Sequence, residues 1–252
     1  MLLLCSLILM NVVTTNASEP GYTVSEYYGG TAVTVDGKNG AGEWLDVTTQ
    51  RIGPAAIFEY KMDSSAGPYS MTWLVEFSDS TNNAGDIWQL CIDGSNDGGT
   101  APNSNDYKFE IVGHTTLSVY VGSGTVWTAS SATVSWKDSL ATSVHDPANH
   151  YILEIQFDKA QFGWGANPPP HGLRIAMYDA SNAAQGWVAW PPEAISKDNP
   201  SRWGAIPDYF AAPAPEGLTI GIMVLVSSVA LLSASYYLRK RSRTINVAPT
   251  KL

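Results

Sequence analysis

Between residues 69 and 190, apolar and polar residues alternate in short runs, and Gly, Asn, Asp and Pro separate one run from the next. A period of two places every second side chain on one face of an extended strand, so this pattern calls for antiparallel β structure with few helices. Tyr69, Met71, Trp73, Val75 and Phe77 share one face of the first run. Trp88, Leu90 and Ile92 do so in the next, Phe109 and Ile111 in another, and residues 152–157 supply a fourth. Residues 118–136 are rich in Ser, Thr, Val, Gly and Trp, a composition suited to solvent-facing strands. Residues 173–178 and 186–190 make two more. About seven to ten short strands of this kind predict an all-β fold, an antiparallel β-sandwich of jelly-roll or immunoglobulin-like type, over residues 18–210.

The two ends of the chain are of a different character. Residues 1–13 form an apolar run, followed by Thr14, Thr15, Asn16 and Ala17, which reads as a signal peptide over residues 1–17 cut after Ala17. Residues 218–238 carry no charge over a length that, at 1.5 Å per helical residue, matches the hydrocarbon core of a bilayer, so a transmembrane helix is expected there. Arg239, Lys240, Arg241 and Arg243 follow at once. By the positive-inside rule they keep residues 239–252 cytoplasmic and put the preceding domain outside, a single-pass protein of the cell membrane. Ala-Ala-Pro-Ala-Pro-Glu before the span, within residues 211–217, is a stiff Pro-rich stalk.

Charge is distributed to match. The protein has 23 Asp or Glu and 14 Lys or Arg, and every acidic residue lies before the expected span. No basic face is available for a nucleic acid. Of two cysteines, Cys5 falls in the leader, so Cys91 is left without an internal disulfide partner.

A series of short motifs runs in order through the predicted sandwich. Val35-Asp36-Gly37-Lys38 precedes Glu43-Trp44, residues 69–79 form a strand ending in Asp79, and Asp86-Ile87-Trp88-Gln89-Leu90-Cys91-Ile92-Asp93 is a strand bracketed by aspartates. Tyr151-Ile152-Leu153-Glu154, a Gly-led strand from Gly172 to Asp179, and the turn Pro200-Ser201-Arg202-Trp203-Gly204 complete the set. Together these resemble the family 9 carbohydrate-binding modules and the related DOMON-like sandwiches. The C-terminal arrangement also resembles the membrane anchors of archaeal surface proteins. The resemblance implies a sandwich that binds a glycan or another extracellular ligand.

It also implies where a ligand would sit. The family's two stacking Trp positions correspond to Asn83 and Lys197 here, while a Glu and an Arg of the family's site correspond to Gln89 and Glu110. With both rings replaced, another aromatic has to supply stacking; Trp127, Trp164, Trp187 and Trp190 lie in or near Gly- and Pro-rich segments, and Trp190 is the preferred candidate. Trp44, Trp73 and Trp203 fall at positions where the family keeps core residues. The implied ligand set is therefore Gln89, Glu110, Trp190 and Lys197.

Asp93-Gly94-Ser95-Asn96-Asp97-Gly98 repeats the first half of a calcium loop, with oxygens at alternate positions and Gly at the sharp turn. Ser104 stands where the bidentate Glu would be, and Asp106 can supply a carboxylate in its place, so Asp93, Ser95, Asp97 and Asp106 are the expected ligands of a structural calcium. An ion-free Asx-rich hairpin loop is the competing reading. Some DOMON-like relatives bind haem through Met with His or Lys, and Met62, Met71, His114, His145, His150 and His171 are available without a spacing that singles out a pair. No Gly-x-Ser-x-Gly elbow, His-Glu-x-x-His motif or phosphate loop is present, and no paired carboxylates are identified. The sequence thus favours a non-catalytic, membrane-anchored carbohydrate-binding module. A structural or adhesive envelope protein and a haem-binding electron-transfer domain are the alternatives.

Overall fold

The computed structural model describes residues 18–24, 30–40, 42–63, 70–164 and 170–207. The expected leader, stalk, span and tail lie outside the described residues. Among those described, no helix is long and apolar enough to cross a membrane.

Among the described residues, twelve strands make two antiparallel sheets. In chain order they are β1 (Gln50–Ile52), β2 (Ala56–Asp63), β3 (Ser70–Phe77), β4 (Ile87–Asp93), β5 (Asp106–Val112), β6 (Thr116–Gly122), β7 (Trp127–Ala129), β8 (Ser135–Ala141), β9 (His150–Asp158), β10 (His171–Tyr178), β11 (Val188–Trp190) and β12 (Gly204–Ile206). One sheet has the order β1-β2-β3-β9-β8. The other runs β11-β10-β4-β5-β6-β7, with β12 also paired to β10. A single turn of α-helix, α1 (Glu193–Ser196), follows β11.

The alternation read from sequence becomes the interlayer core. Met71, Trp73, Val75 and Phe77 of β3 and Tyr151, Leu153, Ile155 and Phe157 of β9 face Trp88, Leu90 and Ile92 of β4 and Leu173, Ile175 and Met177 of β10. Burying such side chains contributes about 1.5–3 kcal/mol each. Phe109 and Phe157 stack across the layers at 4.8 Å. Trp44, Trp73 and Trp203 are all buried, as their motif positions imply.

Charged side chains fasten the flanking segments. Glu154, on the outer side of β9, is fully buried and accepts hydrogen bonds from the backbone N–H of Asp36 at 2.8 Å and Gly37 at 3.0 Å, and from the Trp44 indole at 3.0 Å. Burial pushes its carboxyl up to about 7 against those three donors. This explains the spacing of the Asp-Gly, Trp and Tyr-x-x-Glu motifs: they form one joint. Lys61 adds a second joint, donating to the carbonyls of Thr31 and Glu43 and to Asp46. At one end of the sandwich, His114 of the β5–β6 turn stacks on Tyr151 at 3.7 Å and sits between Asp138, at 2.5 Å, and Asp86, at 3.1 Å. Burial opposes the imidazolium, but the two carboxylates prevail and its pKa is raised.

Candidate ligand-binding face

The outer surface of the seven-stranded sheet is built by the same period of two that fills the core. Residues of β4, β5 and β10 that alternate with the buried ones are Gln89, Lys108, Glu110 and Arg174, and the register places Cys91 opposite both Arg174 and Lys108, and Gln89 opposite Glu110. Their side chains form a continuous hydrogen-bonded row. Arg174 donates from Nη1 to Gln89 Oε1 at 2.8 Å and from Nη2 to Glu193 of α1. Gln89 then donates from Nε2 to Glu110 Oε2 at 2.7 Å, which also receives Lys108 Nζ at 3.2 Å. Arg174 is almost fully buried and fixed from behind by Ser196, whereas Gln89, Lys108 and Glu110 are half-buried and reach solvent.

An aromatic wall closes one end of this row. The Lys108 ammonium lies 4.6 Å from the Tyr120 ring centroid and 5.6 Å from that of Trp127, which is cation–π distance. Trp127, half-buried on β7, donates its indole N–H to Asp198 at 2.6 Å and lies parallel to the buried Trp203 at 6.4 Å. Lys197, next to Asp198, is exposed. Amide, carboxylate and guanidinium groups in fixed relation, beside an aromatic ring, can pair with adjacent hydroxyls while the ring takes an apolar C–H face.

Of the four residues expected to bind ligand, Gln89 and Glu110 are in direct contact on this face, and Lys197 stands exposed next to Asp198. Trp190 is a correction. Its place on β11 opposite Ile175 turns it inward, where it is 7 % exposed and packs edge-on against Tyr22 and Phe58. Trp164 is likewise in the core. Asn83 is engaged locally, its side chain donating to Thr81 and its backbone N–H to Asp86. Arg174 and Lys108 were missed by sequence reasoning. The available signals were a single charge inside the apolar run of β10, and the shared parity of Lys108 and Glu110 on β5.

The Asp-rich loop between β4 and β5 forms a separate cluster. Carboxylate atoms of Asp93, Asp97 and Asp106 lie within 4.8 Å of one another. Asp93 accepts the backbone N–H groups of Ser95 and Gly98, and Asp106 accepts that of Asn103. Among the described residues, Asp106 Oδ1 is buried and accepts no hydrogen bond, and the Asp106 carboxyl, when protonated, can donate to Asp93. Burial, reinforced by the charges of Asp93 and Asp97, pushes the Asp106 carboxyl up to about 8, and burial raises Asp93 as well. Ser95 Oγ accepts from Asn105 at 2.5 Å. Oxygen-only ligands, one of them a buried carboxylate oxygen that accepts no hydrogen bond, fit a hard divalent cation such as calcium.

The residues considered for haem have other roles. Met62 and Met71 oppose one another across β2 and β3 in the core. His145 faces Glu59, His150 lies between the Ala148 carbonyl and Glu76, and His171 contacts the Gly94 carbonyl.

Residues 74–207 match the family model described as carbohydrate family 9 binding domain-like. Two solved structures are similar to the chain, both a family 9 carbohydrate-binding module from Caldicellulosiruptor kristjanssonii. The complex with cellotriose has a TM-score of 0.49 at 16% identity, covering 77% of this chain and 98% of that one. The complex with glucose has a TM-score of 0.48 at 16% identity, covering 75% and 100%. No curated protein matches the sequence.

Proposed function

Because this chain belongs to the carbohydrate family 9 binding domain-like family, its model matching more than half of the sequence, we propose that it is a non-catalytic glycan-binding module held at the outer face of a membrane. The observation that carries the reading is the outer row of the seven-stranded sheet, Arg174-Gln89-Glu110-Lys108, ending at Trp127 and Tyr120. Gln89, Lys108 and Glu110 meet the sugar hydroxyls, Arg174 holds Gln89 in place from beneath, and Trp127 replaces the stacking that Asn83 and Lys197 cannot provide. The uncharged segment 218–238 and the basic cluster after it support the anchor, with the leader over residues 1–17.

Calcium belongs to this proposal as a structural ion. Asp93, Asp97 and Asp106, with the Ser95 hydroxyl near, would hold it, and Asp106 Oδ1, buried and accepting no hydrogen bond, supports the assignment. When bound, the ion neutralises the mutual repulsion of the three carboxylates and ties the β4–β5 loop. None of the residues that would hold it belongs to the binding row.

Isothermal titration of the full-length protein with cellotriose, glucose and a panel of neutral oligosaccharides tests the reading. Loss of binding at the outer row in Gln89→Ala together with Glu110→Ala is expected. Absence of binding to every glycan, with and without calcium, refutes it.

A further inference from the structure

β7 pairs with β6 only at residues 120–122, after which residues 130–134 cross from the seven-stranded sheet to β8 of the other sheet. The first half of β6 is left as a sheet edge, and a groove of about 520 Å³ opens between it and the crossover, with Leu117, Val119, Ala132 and Val134 among its lining. A second cleft of about 610 Å³, lined by Val33, Val35, Ser135 and Gln156 among others, shares Val134 and Trp136 with the first. Trp136 opposes Ile155 and so faces the interlayer side, but β8 is the edge strand, so its half-buried ring stands at the mouth of both.

The chemistry of this double groove is distinctive. In a chain of net charge −9, neither lining includes an Asp, Glu, Lys, Arg or His. The hydroxyls of Ser131 and Thr133 on the crossover and the indole N–H of Trp136 make no side-chain hydrogen bond among the described residues, whereas Ser118, opposite Glu110, and Ser135, opposite Gln156, alternate with Val119 and Trp136 and lie on the outer faces of their strands. Each crossover hydroxyl can both donate and accept, as sugar hydroxyls do, and the Trp136 ring offers an apolar face. Both grooves lie open to solvent, so they suit an extended chain laid along them and do not enclose a compact ligand.

We propose that this groove is a second binding site, meeting the outer row only at Tyr120, for an uncharged extended oligosaccharide that packs on Trp136 and hydrogen-bonds to the Ser131 and Thr133 hydroxyls. An extended peptide adding to the free edge of β6 is the competing occupant. It is disfavoured because the backbone N–H of Ser130 already takes the Val119 carbonyl at 2.8 Å, which cuts short any added ladder.

The test uses the full-length protein, titrated with cellohexaose and xylohexaose by calorimetry, with tryptophan fluorescence in parallel. The wild type is expected to show two classes of site. Trp136→Ala removes one and Gln89→Ala the other, while Trp136→Phe retains part of the affinity. Thr133→Asp, a surface change that puts a charge into the groove, weakens the Trp136-dependent site by about tenfold or more. If Trp136→Ala and Thr133→Asp both leave every isotherm unchanged while Gln89→Ala abolishes binding, the second site is refuted and the outer-row reading stands. If the wild type binds neither sugar, or an extended peptide competes for the Trp136-dependent signal without any sugar doing so, the proposal is likewise overturned.

Discussion

Glu154→Gln isolates one ionisation that the fold holds far from its ordinary value. The wild-type carboxyl is fully buried, faces three donors, and is pushed up to about 7 from 4.5. A carboxyl raised in the folded state binds its proton more tightly there than in the unfolded chain. Its stabilising contribution is therefore complete below about pH 4.5 and is lost as pH rises through about 7. The separation of the two values corresponds to about 3 kcal/mol of stability lost between pH 4.5 and pH 8. Glutamine keeps an acceptor oxygen but has no proton to lose. It costs about 1–2 kcal/mol at low pH, where an amide N–H must face one of the three donors. Urea unfolding followed by tryptophan fluorescence, for wild type and variant at both pH values, reads the difference. The wild-type advantage at pH 4.5 should vanish or reverse at pH 8. A gap between the two proteins that stays constant across this range would refute the reasoning, because Glu154 would then ionise without penalty.

Other consequences are open to direct measurement. Calcium should raise the melting temperature more at pH 8 than at pH 6, because the proton held by Asp106 competes with the ion below about pH 8, and Asp106→Asn should remove the effect. The His114 clamp has a raised pKa, so its contribution is present below pH 6.5 and lost as pH rises through the folded value; His114→Gln should flatten that part of the stability profile. Gly122→Ala places a Cβ 2.3 Å from the Asn103 carbonyl oxygen and 2.4 Å from the Pro102 carbonyl carbon. Both neighbours are backbone, so a destabilisation of about 2–4 kcal/mol is expected in thermal melts.

The sandwich was legible because Met71-Trp73-Val75-Phe77 and Trp88-Leu90-Ile92 alternate without interruption, and a period of two admits one arrangement of faces. The Asp-Gly and Tyr-x-x-Glu motifs were also visible, but their meaning was not. Only three-dimensional proximity shows that Glu154 gathers the backbone of residues 36 and 37 with the Trp44 indole, more than a hundred positions away. Trp190 misled for a comparable reason. A Trp beside prolines resembles an exposed loop ring, and only its pairing with Ile175 reveals that it faces inward. Trp127 shows the converse, since the three-residue β7 is too short to carry a periodic signal yet sets the ring against Lys108 and Asp198. Arg174 joins the row from a buried position that is unusual for arginine, and its partners lie on separate segments, β4 and α1.

Glycan binding by the outer row of the seven-stranded sheet is open to a direct test. The most direct measurement is the affinity of the full-length protein for a neutral oligosaccharide before and after Trp127→Ala and Gln89→Ala with Glu110→Ala. Saturable binding is expected in the wild type, about tenfold weaker without the ring and undetectable at that row without the polar pair. Undiminished binding in both variants would contradict it.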